Sequence, residues 1–161
     1  MPLSPRPAPL RLFLDAGIFI NGFFNRWGTC KGVLILTTLR THFRAVMADS
    51  IADECARALR AKTANLLMEE AQTIRDGADG WTKIARPKRA PWPSDAKMLA
   101  HAGLLSAVRH RNDMPSVVAA VLERPDWVLS TNTDHWNQDL AARTGLRVAT
   151  PLDFLLSLQP S

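Results

Sequence analysis

Strand-like and helix-like segments alternate along this chain, and the alternation constrains the fold more than any other feature of the sequence. Residues 10–15, "LRLFLD", have the composition of a strand, and residues 16–28, "AGIFINGFFNRWG", follow with apolar side chains at helical spacing. Strands that alternate with helices of about ten or more residues indicate a parallel sheet with helices on both faces. We therefore expect an α/β fold, a three-layer α/β/α sandwich around a central parallel sheet.

The rest of the chain continues the same alternation. Residues 30–42 predict a helix and residues 43–49 a strand. Residues 49–76 predict one long amphipathic helix with Ser50 as its N-cap. Residues 77–95 are rich in proline, glycine and basic side chains, which predicts a basic loop. The later segments predict helices at residues 95–110, 114–124, 134–145 and 151–158. They predict strands at residues 126–132 and 146–150.

The length and composition predict one folded domain preceded by a short tail. With 161 residues, 47% of them hydrophobic, the chain can bury the core of one ordinary domain and is short for two. Four prolines in residues 1–9 suppress both helix and ladder hydrogen bonds, so we expect a flexible Pro-rich tail there. The single domain then spans residues 10–158.

Two features of the sequence bear on where the protein resides. The apolar run near the N-terminus carries Asp15, so we expect neither a secretory signal nor a membrane span of ~20 apolar residues. Cys30 and Cys55 have neither a paired-thiol metal spacing nor the pattern of a disulfide framework. Together these features predict a cytoplasmic protein with no membrane partner.

The charge balance favours a polyanionic partner. Twenty Lys and Arg side chains against 15 Asp and Glu give a formal charge of +5 and a pI near 9.9. Nucleic acid is the first candidate for such a basic protein, although a merely soluble basic protein would carry the same charge.

Four polar side chains occupy equivalent positions beside the predicted strands. Asp15 follows the first strand, Glu54 lies early in the long helix, Asp113 precedes a helix and Asn132 follows a late strand. Taken singly, they suit N-caps, a first-turn acid and a turn. Because ligands bind at the carboxyl ends of parallel strands and Mg²⁺ takes oxygen ligands, the four together predict a metal site for phosphoryl transfer. Such a site would also provide the partner that Asp15 needs in its apolar run.

With these residues in place, the sequence resembles the PIN domain, found in ribonucleases and in VapC-like toxins of bacterial toxin-antitoxin modules. The likeness lies in the order of "LFLDAGIFING", "ADSIADECARAL", "RHRNDMPSVVAAVLERPDWVLSTN" and "VATPLDFLLSL", and it covers about residues 10–158. The resemblance implies a metal-dependent endoribonuclease in which Asp15, Glu54 and Asp113 bind Mg²⁺ or Mn²⁺. It also implies the toxin component of a type II toxin-antitoxin module, with a small antitoxin as its partner.

The fourth acidic position of the family differs in this sequence. Many members have an aspartate two residues after a strand-terminal Thr or Ser, whereas here Ser130 is followed two residues later by Asn132. The segment "NTDHW" is similar to a known variant with Asn in that place. Asn offers an oxygen but no charge, so Asn132 would complete the metal shell more weakly, and Asp134 is the candidate to compensate.

Basic residues near the predicted site are the candidates for binding RNA. Arg109 and Arg111 lie just upstream of Asp113 and would contact phosphates beside the scissile bond, although a solvated helix end would also explain them. Lys88 and Arg89 lie in the predicted basic loop, close to two tryptophans. That loop could bind unpaired bases and their backbone, or could pack onto its own domain.

Two other functions remain open at this point. A pair among the four histidines, acting as base and acid, would cleave RNA without a metal and leave a cyclic phosphate, but nothing in their spacing pairs them. A PIN-like module that binds RNA or a protein without turnover is the second alternative. A homodimer is also compatible with the sequence, with Leu104 and Leu105 in its interface or in the core.

Overall fold

The computed structural model describes residues 6–160, which form one sheet with helices packed against it. The strands are β1 (Leu10–Leu14), β2 (Phe43–Ala48), β3 (Lys88–Ala90), β4 (Trp127–Leu129) and β5 (Val148–Ala149). The α-helices are α1 (Ala16–Phe24), α2 (Thr29–Thr38), α3 (Asp49–Thr63), α4 (Met68–Ala85), α5 (Asp95–Ala100), α6 (Met114–Glu123), α7 (Gln138–Thr144) and α8 (Pro151–Ser157). Two 3₁₀ helices span Ala102–Ser106 and Arg111–Asp113. Of the predicted tail, residues 1–5 lie outside the described residues, and residues 6–9 precede β1 as coil.

The strands lie in the order β3-β2-β1-β4-β5, and every described pairing between them is parallel. The central strand β1 pairs on both sides, so that Phe13 lies opposite Val46 of β2 and Val128 of β4. All three side chains are buried. The predicted α/β class with a parallel central sheet is confirmed, and the carboxyl ends of the strands meet at one edge of the sheet.

Aromatic side chains show that both faces of the sheet are covered. On one face, Phe154 of α8 packs edge-on against Phe43 and Trp127, with ring centroids 6.3 Å and 5.5 Å away. On the other face, Phe13 packs against Trp136 at 5.9 Å. Successive side chains of a strand point to opposite faces, and these contacts follow that alternation across the paired strands.

The single long helix predicted for residues 49–76 is wrong, because the structure has two helices, α3 and α4, joined by a turn at residues 64–67. The turn lets α4 fold back against α1 and α2. There α4 buries one face, including Ala71 and Ala78. A straight helix would carry those side chains away from the core, so the gain from burying them decides the break.

Two predicted helix starts are also wrong. Ser50 is not an N-cap, because α3 begins at Asp49 and the Ser50 hydroxyl is hydrogen-bonded to the Ser116 hydroxyl of α6 at 2.7 Å. The helix predicted from residue 134 begins later, where the Asn137 side chain accepts a hydrogen bond from the Leu140 amide at 2.9 Å and caps α7. The predicted helix of residues 95–110 is shorter as well, since α5 gives way to a 3₁₀ helix.

The basic loop predicted for residues 77–95 is only partly a loop. Helix α4 continues through the first half of that segment, and β3 forms the edge strand in the second half. Trp81 explains the longer helix, because its buried indole donates to the Leu34 carbonyl at 3.0 Å and to the Thr37 hydroxyl at 3.1 Å. The helix ends at Arg86, whose backbone is left-handed with φ of 45°, immediately before a proline.

None of the helices in residues 6–160 is both long enough and apolar enough to cross a bilayer. Cys30 and Cys55 are buried free thiols. Burial raises the pKa of Cys55 to about 12, so this thiol is protonated at neutral pH and is not a nucleophile.

Candidate active site

Asp15 lies in the turn between the central strand β1 and helix α1. Its amide donates to the Leu129 carbonyl at the end of β4, at 3.0 Å. Its Oδ2 atom accepts a hydrogen bond from the Ser130 hydroxyl at 2.7 Å. Although Asp15 occupies the N-cap position of α1, its side chain is bonded to the end of β4 rather than to that helix. The interpretation of Asp15 as a helix cap is therefore wrong.

Ser130 is a direct partner of Asp15 in the candidate site, although the sequence did not predict it as a site residue. Its side chain is buried, donates to Asp15 and accepts a hydrogen bond from the Asn132 amide at 3.0 Å. A Cβ atom on Gly17 would collide with the Thr131 hydroxyl, so the glycine allows this turn to approach α1. A hydroxyl at the end of an apolar strand was the signal that could have identified Ser130.

Asp113 ends the 3₁₀ helix that precedes α6. Its Oδ2 atom is buried, and no donor among residues 6–160 forms a hydrogen bond with it. His135 Nδ1 is 3.3 Å from this atom but does not meet hydrogen-bond geometry, so the contact becomes an ion pair only when the imidazole is protonated. A buried carboxylate oxygen without a donor is costly, so this atom has acceptor capacity that the described protein atoms do not use.

The pKa values of Asp15 and Glu54 respond to the charges of neighbouring carboxylates. Burial raises the pKa of Asp15, and the charge of Asp113 raises it further, against opposing hydrogen bonds of which that from Ser130 is the strongest. Burial also raises the pKa of Glu54, and the charges of Asp15 and Asp113 add to that effect. The predicted acids, which come from three separate parts of the chain, are therefore close enough for the charge of one to affect the pKa of another.

The other two predicted site residues, Asn132 and Asp134, lie in the loop after β4, and both side chains already have protein partners. The Asn132 side-chain oxygen accepts hydrogen bonds from the amides of Asp134 and His135, at 3.2 Å and 3.3 Å, and so orders that turn. The Asp134 carboxylate is largely exposed and lies 2.7 Å from Arg109 Nη1. Asn132 is thus next to Ser130 and the site, whereas the charge of Asp134 is already paired at the surface.

The predicted RNA-binding side chains differ in how free they are. Lys88 Nζ lies 2.6 Å from Glu123 Oε2, and Arg89 Nη2 lies 2.7 Å from Asp49 Oδ1. Arg109 is paired with an acid as well. Arg111 is exposed and has no ion pair within the described residues. Of the four, Arg111 therefore has the charge that is most available to a phosphate.

Two histidines meet beside the carboxylates. The rings of His110 and His135 pack edge-to-face with centroids 5.0 Å apart. The sequence offered no reason to pair them, because one precedes α6 and the other follows β4, and only the fold brings those loops together. The neighbouring contact between His135 and Asp113 places this pair at the edge of the same site.

The carboxylates fit a hard divalent cation by their chemistry. Mg²⁺ takes oxygen ligands and usually keeps several waters, so it needs only one or two carboxylates from the protein. The free oxygen of Asp113 and the mutual repulsion of the acids are features that a cation would relieve. Within residues 6–160, no three His, Cys, Asp or Glu side chains are grouped so as to hold a metal directly. A metal at this site therefore stays a prediction, in which water would supply part of the coordination.

Comparisons with known proteins bear on the fold. No family model and no curated protein matches the chain. Among solved structures, the chain is similar to a chain of VapBC2 from Rickettsia felis, in a crystal structure of that assembly bound to a DNA fragment from their promoter. The TM-score is 0.58 with 12% sequence identity, over 88% of this chain and 98% of that chain. At this identity the likeness shows a shared fold.

Proposed function

We propose that this chain is a metal-dependent endoribonuclease of the PIN type that acts as the toxin of a type II toxin-antitoxin module. One observation carries the proposal: Asp113 Oδ2 is buried without a donor among residues 6–160, in the same region as Asp15 and Glu54. Such a cluster is unfavourable alone and becomes favourable when a cation binds. The shared fold with a chain of VapBC2 supports the toxin role.

Asp15, Glu54 and Asp113 would hold Mg²⁺ or Mn²⁺, in part through water molecules. Such a cation supplies Lewis-acid polarisation of the scissile phosphate and offsets the charge of the carboxylates. Ser130 positions Asp15 through the 2.7 Å hydrogen bond, which fixes the direction of that carboxylate. Asn132 contributes chiefly by ordering its turn, because its side-chain oxygen already accepts two amide hydrogen bonds.

The free oxygen of Asp113 gives this residue a role in placing the attacking water. A carboxylate oxygen without another donor can accept a hydrogen bond from a water molecule and orient it toward phosphorus. In-line attack by that water breaks the bond between phosphorus and the 3′ oxygen. The products would be a 5′-phosphate and a 3′-hydroxyl.

The partners follow from the surface charges around the site. Arg111 would contact RNA phosphates first, whereas Arg89 and Arg109 must exchange a carboxylate for a phosphate. Lys88 is paired with Glu123 at the other end of the sheet, so it would contact only RNA that extends beyond the site. A small antitoxin would cover this edge of the protein in the cytoplasm. Leu105 is 43% exposed, so it remains available to a homodimer.

The test is cleavage of an end-labelled unstructured RNA by the purified protein in Mg²⁺, in Mn²⁺ and in EDTA. Asp113→Asn removes the proposed ligand. Asp139→Asn is the matched control, because it removes one exposed aspartate that is paired with Arg143 within α7. We expect cleavage only with a divalent ion, loss of cleavage in Asp113→Asn and unchanged cleavage in Asp139→Asn.

The product ends and the binding curve distinguish the alternatives. Cleavage that persists in EDTA and leaves a cyclic phosphate would instead assign the chemistry to His110 and His135, whose rings are in contact. RNA binding without cleavage under either divalent ion would contradict the proposal and favour a silent binding module.

A further inference from the structure

We infer that Trp92 is a stacking platform for an unpaired RNA base at the rim of the carboxylate site, with Arg89 beside it for the adjoining phosphate. The inference rests on the proposed function and adds to it a subsite for one unpaired nucleotide of the RNA. It starts from position. Trp92 follows the edge strand β3, and the parallel sheet brings the end of β3 to the same edge as Asp15.

Hydrogen bonds to one face of helix α3 fix the platform. Trp92 Nε1 donates to Asp53 Oδ2 at 3.2 Å, and Arg89 is paired with Asp49 at 2.7 Å. Asp49 and Asp53 are four residues apart in α3, so they lie on the same side of that helix. The next residue after Asp53 is Glu54, one of the proposed ligands. The indole is therefore tied to the helix that also carries part of the site.

The exposure of Trp92 distinguishes it from the tryptophans that build the core. Trp81 and Trp136 are 7% and 5% exposed, whereas Trp92 is 53% exposed. The Trp127 ring is covered by the Arg147 guanidinium, 3.6 Å from its centroid. The alternative that a Pro-flanked tryptophan packs the loop onto its own domain therefore does not account for half of the Trp92 surface.

A fixed, half-exposed indole next to a cation suits one nucleotide of a single strand. A base stacks on the indole whatever its identity, because every base has a π face. The Arg89 side chain is 53% exposed, so its guanidinium retains donors for a phosphate while it contacts Asp49. A duplex keeps its bases stacked on one another, so the platform selects unpaired RNA.

The test measures binding rather than cleavage. A fluorescein-labelled unstructured RNA is titrated into Asp113→Asn protein, alone and combined with Trp92→Ala, Trp92→Phe or Trp27→Ala. Trp27 is the matched control: it is 85% exposed and lies beyond the far end of α1, about 13 Å along that helix from Asp15. Thermal melting of each variant confirms that it folds.

We expect Trp92→Ala to weaken binding by about 5- to 150-fold, since stacking on an aromatic contributes roughly 1–3 kcal/mol per base. Trp92→Phe should retain most of the affinity, and Trp27→Ala should leave it unchanged. A blunt-ended RNA duplex, which has no unpaired bases, should not distinguish the variants. Equal binding by Trp92→Ala and Trp27→Ala would overturn the platform while the nuclease proposal stands. Failure of the Asp113→Asn protein, with Trp92 intact, to bind RNA would overturn both the Trp92 platform and the nuclease proposal.

Discussion

Two charged clusters lie at opposite ends of the sheet and differ in whether their charges are paired. Where β1 and β3 begin, Glu123 Oε2 lies 2.7 Å from Arg11 Nη2 and 2.6 Å from Lys88 Nζ. Where the strands end, Asp113 Oδ2 lacks a donor among residues 6–160, and burial raises the pKa of Asp15. Glu123 therefore has two cationic partners. Among residues 6–160, Asp15 has no ion pair, and Asp113 has only His135, which is charged only when protonated.

From this difference we expect the charge of Glu123 to stabilise the fold and the charges of Asp15 and Asp113 to cost stability when no ligand is bound. Removing one partner of a shielded ion pair is destabilising, because the remaining charge loses its compensation. Removing an unpartnered buried carboxylate relieves a cost instead. The same change, a carboxylate to an amide, should therefore have opposite consequences at the two ends.

We expect the largest effect from the substitution Asp15→Asn, on the rate of RNA cleavage. We expect cleavage to fall by more than about 100-fold, since even residues that only support a metal ligand cost 10- to 100-fold. The unfolding free energy in EDTA should stay equal or rise, because the Ser130 hydroxyl can still donate to the amide oxygen. Initial rates and urea denaturation measure the two quantities. A variant that loses both cleavage and stability would mean that Asp15 is a structural residue.

Glu123→Gln should give the reverse result. We expect the unfolding free energy to fall by about 2 kcal/mol, less than for a fully buried pair because the Arg11 and Lys88 side chains are partly exposed. Cleavage per folded molecule should stay within about twofold. Urea denaturation of Glu123→Gln is compared with that of Asp139→Asn, whose exposed pair within one helix should contribute less than about 0.5 kcal/mol. Equal losses in the two variants would show that the network at Glu123 is not special.

The raised pKa of Asp15 predicts how stability changes with pH. The folded state holds the Asp15 proton more tightly than the unfolded state, so this stabilisation is complete below the ordinary pKa of 3.8 and is lost as the pH rises through the folded pKa. In EDTA, native protein should lose stability relative to Asp15→Asn as the pH rises above 3.8, by about 1.4 kcal/mol per unit of raised pKa. Urea denaturation across this pH range measures the difference. Parallel pH curves for the two proteins would contradict the burial of this carboxylate.

The sequence predicted the cluster where the strands end better than the cluster where the strands begin. A charge inside the apolar run at Asp15 and polar residues after strands point to one edge of a parallel sheet, because strand direction alone fixes that geometry. The same pattern cannot show that Ser130 is the direct partner of Asp15, since any small polar residue suits the end of a strand. The α/β class was also predictable, because the alternation of strand-like and helix-like segments is a local property of the sequence.

The ion pairs and ring contacts at both ends of the sheet depend on tertiary contacts that no local sequence pattern contains. Lys88 was predicted to bind RNA, yet it lies against Glu123, 35 residues away in sequence. Arg89 is tied in the same way to Asp49, 40 residues away. His110 and His135 also meet only because the loops before α6 and after β4 converge. Charge composition predicts how many cations a surface has, whereas tertiary packing decides which of them are free.

We expect the smallest effect from the substitution Asp134→Asn. Asp134 lies in the loop after β4, beside the candidate site, but its charge is paired. Its carboxylate is exposed and forms an ion pair with Arg109, so its charge is compensated like that of Glu123. Asp113 differs, because its Oδ2 atom has no donor among residues 6–160. We expect Asp134→Asn to change the unfolding free energy by less than about 0.5 kcal/mol and cleavage by less than about threefold. Arg109→Ala tests the same pair from its other side. A large loss of cleavage in Asp134→Asn but not in Arg109→Ala would show that Asp134 leaves Arg109 during the reaction and supplies the charge that Asn132 lacks.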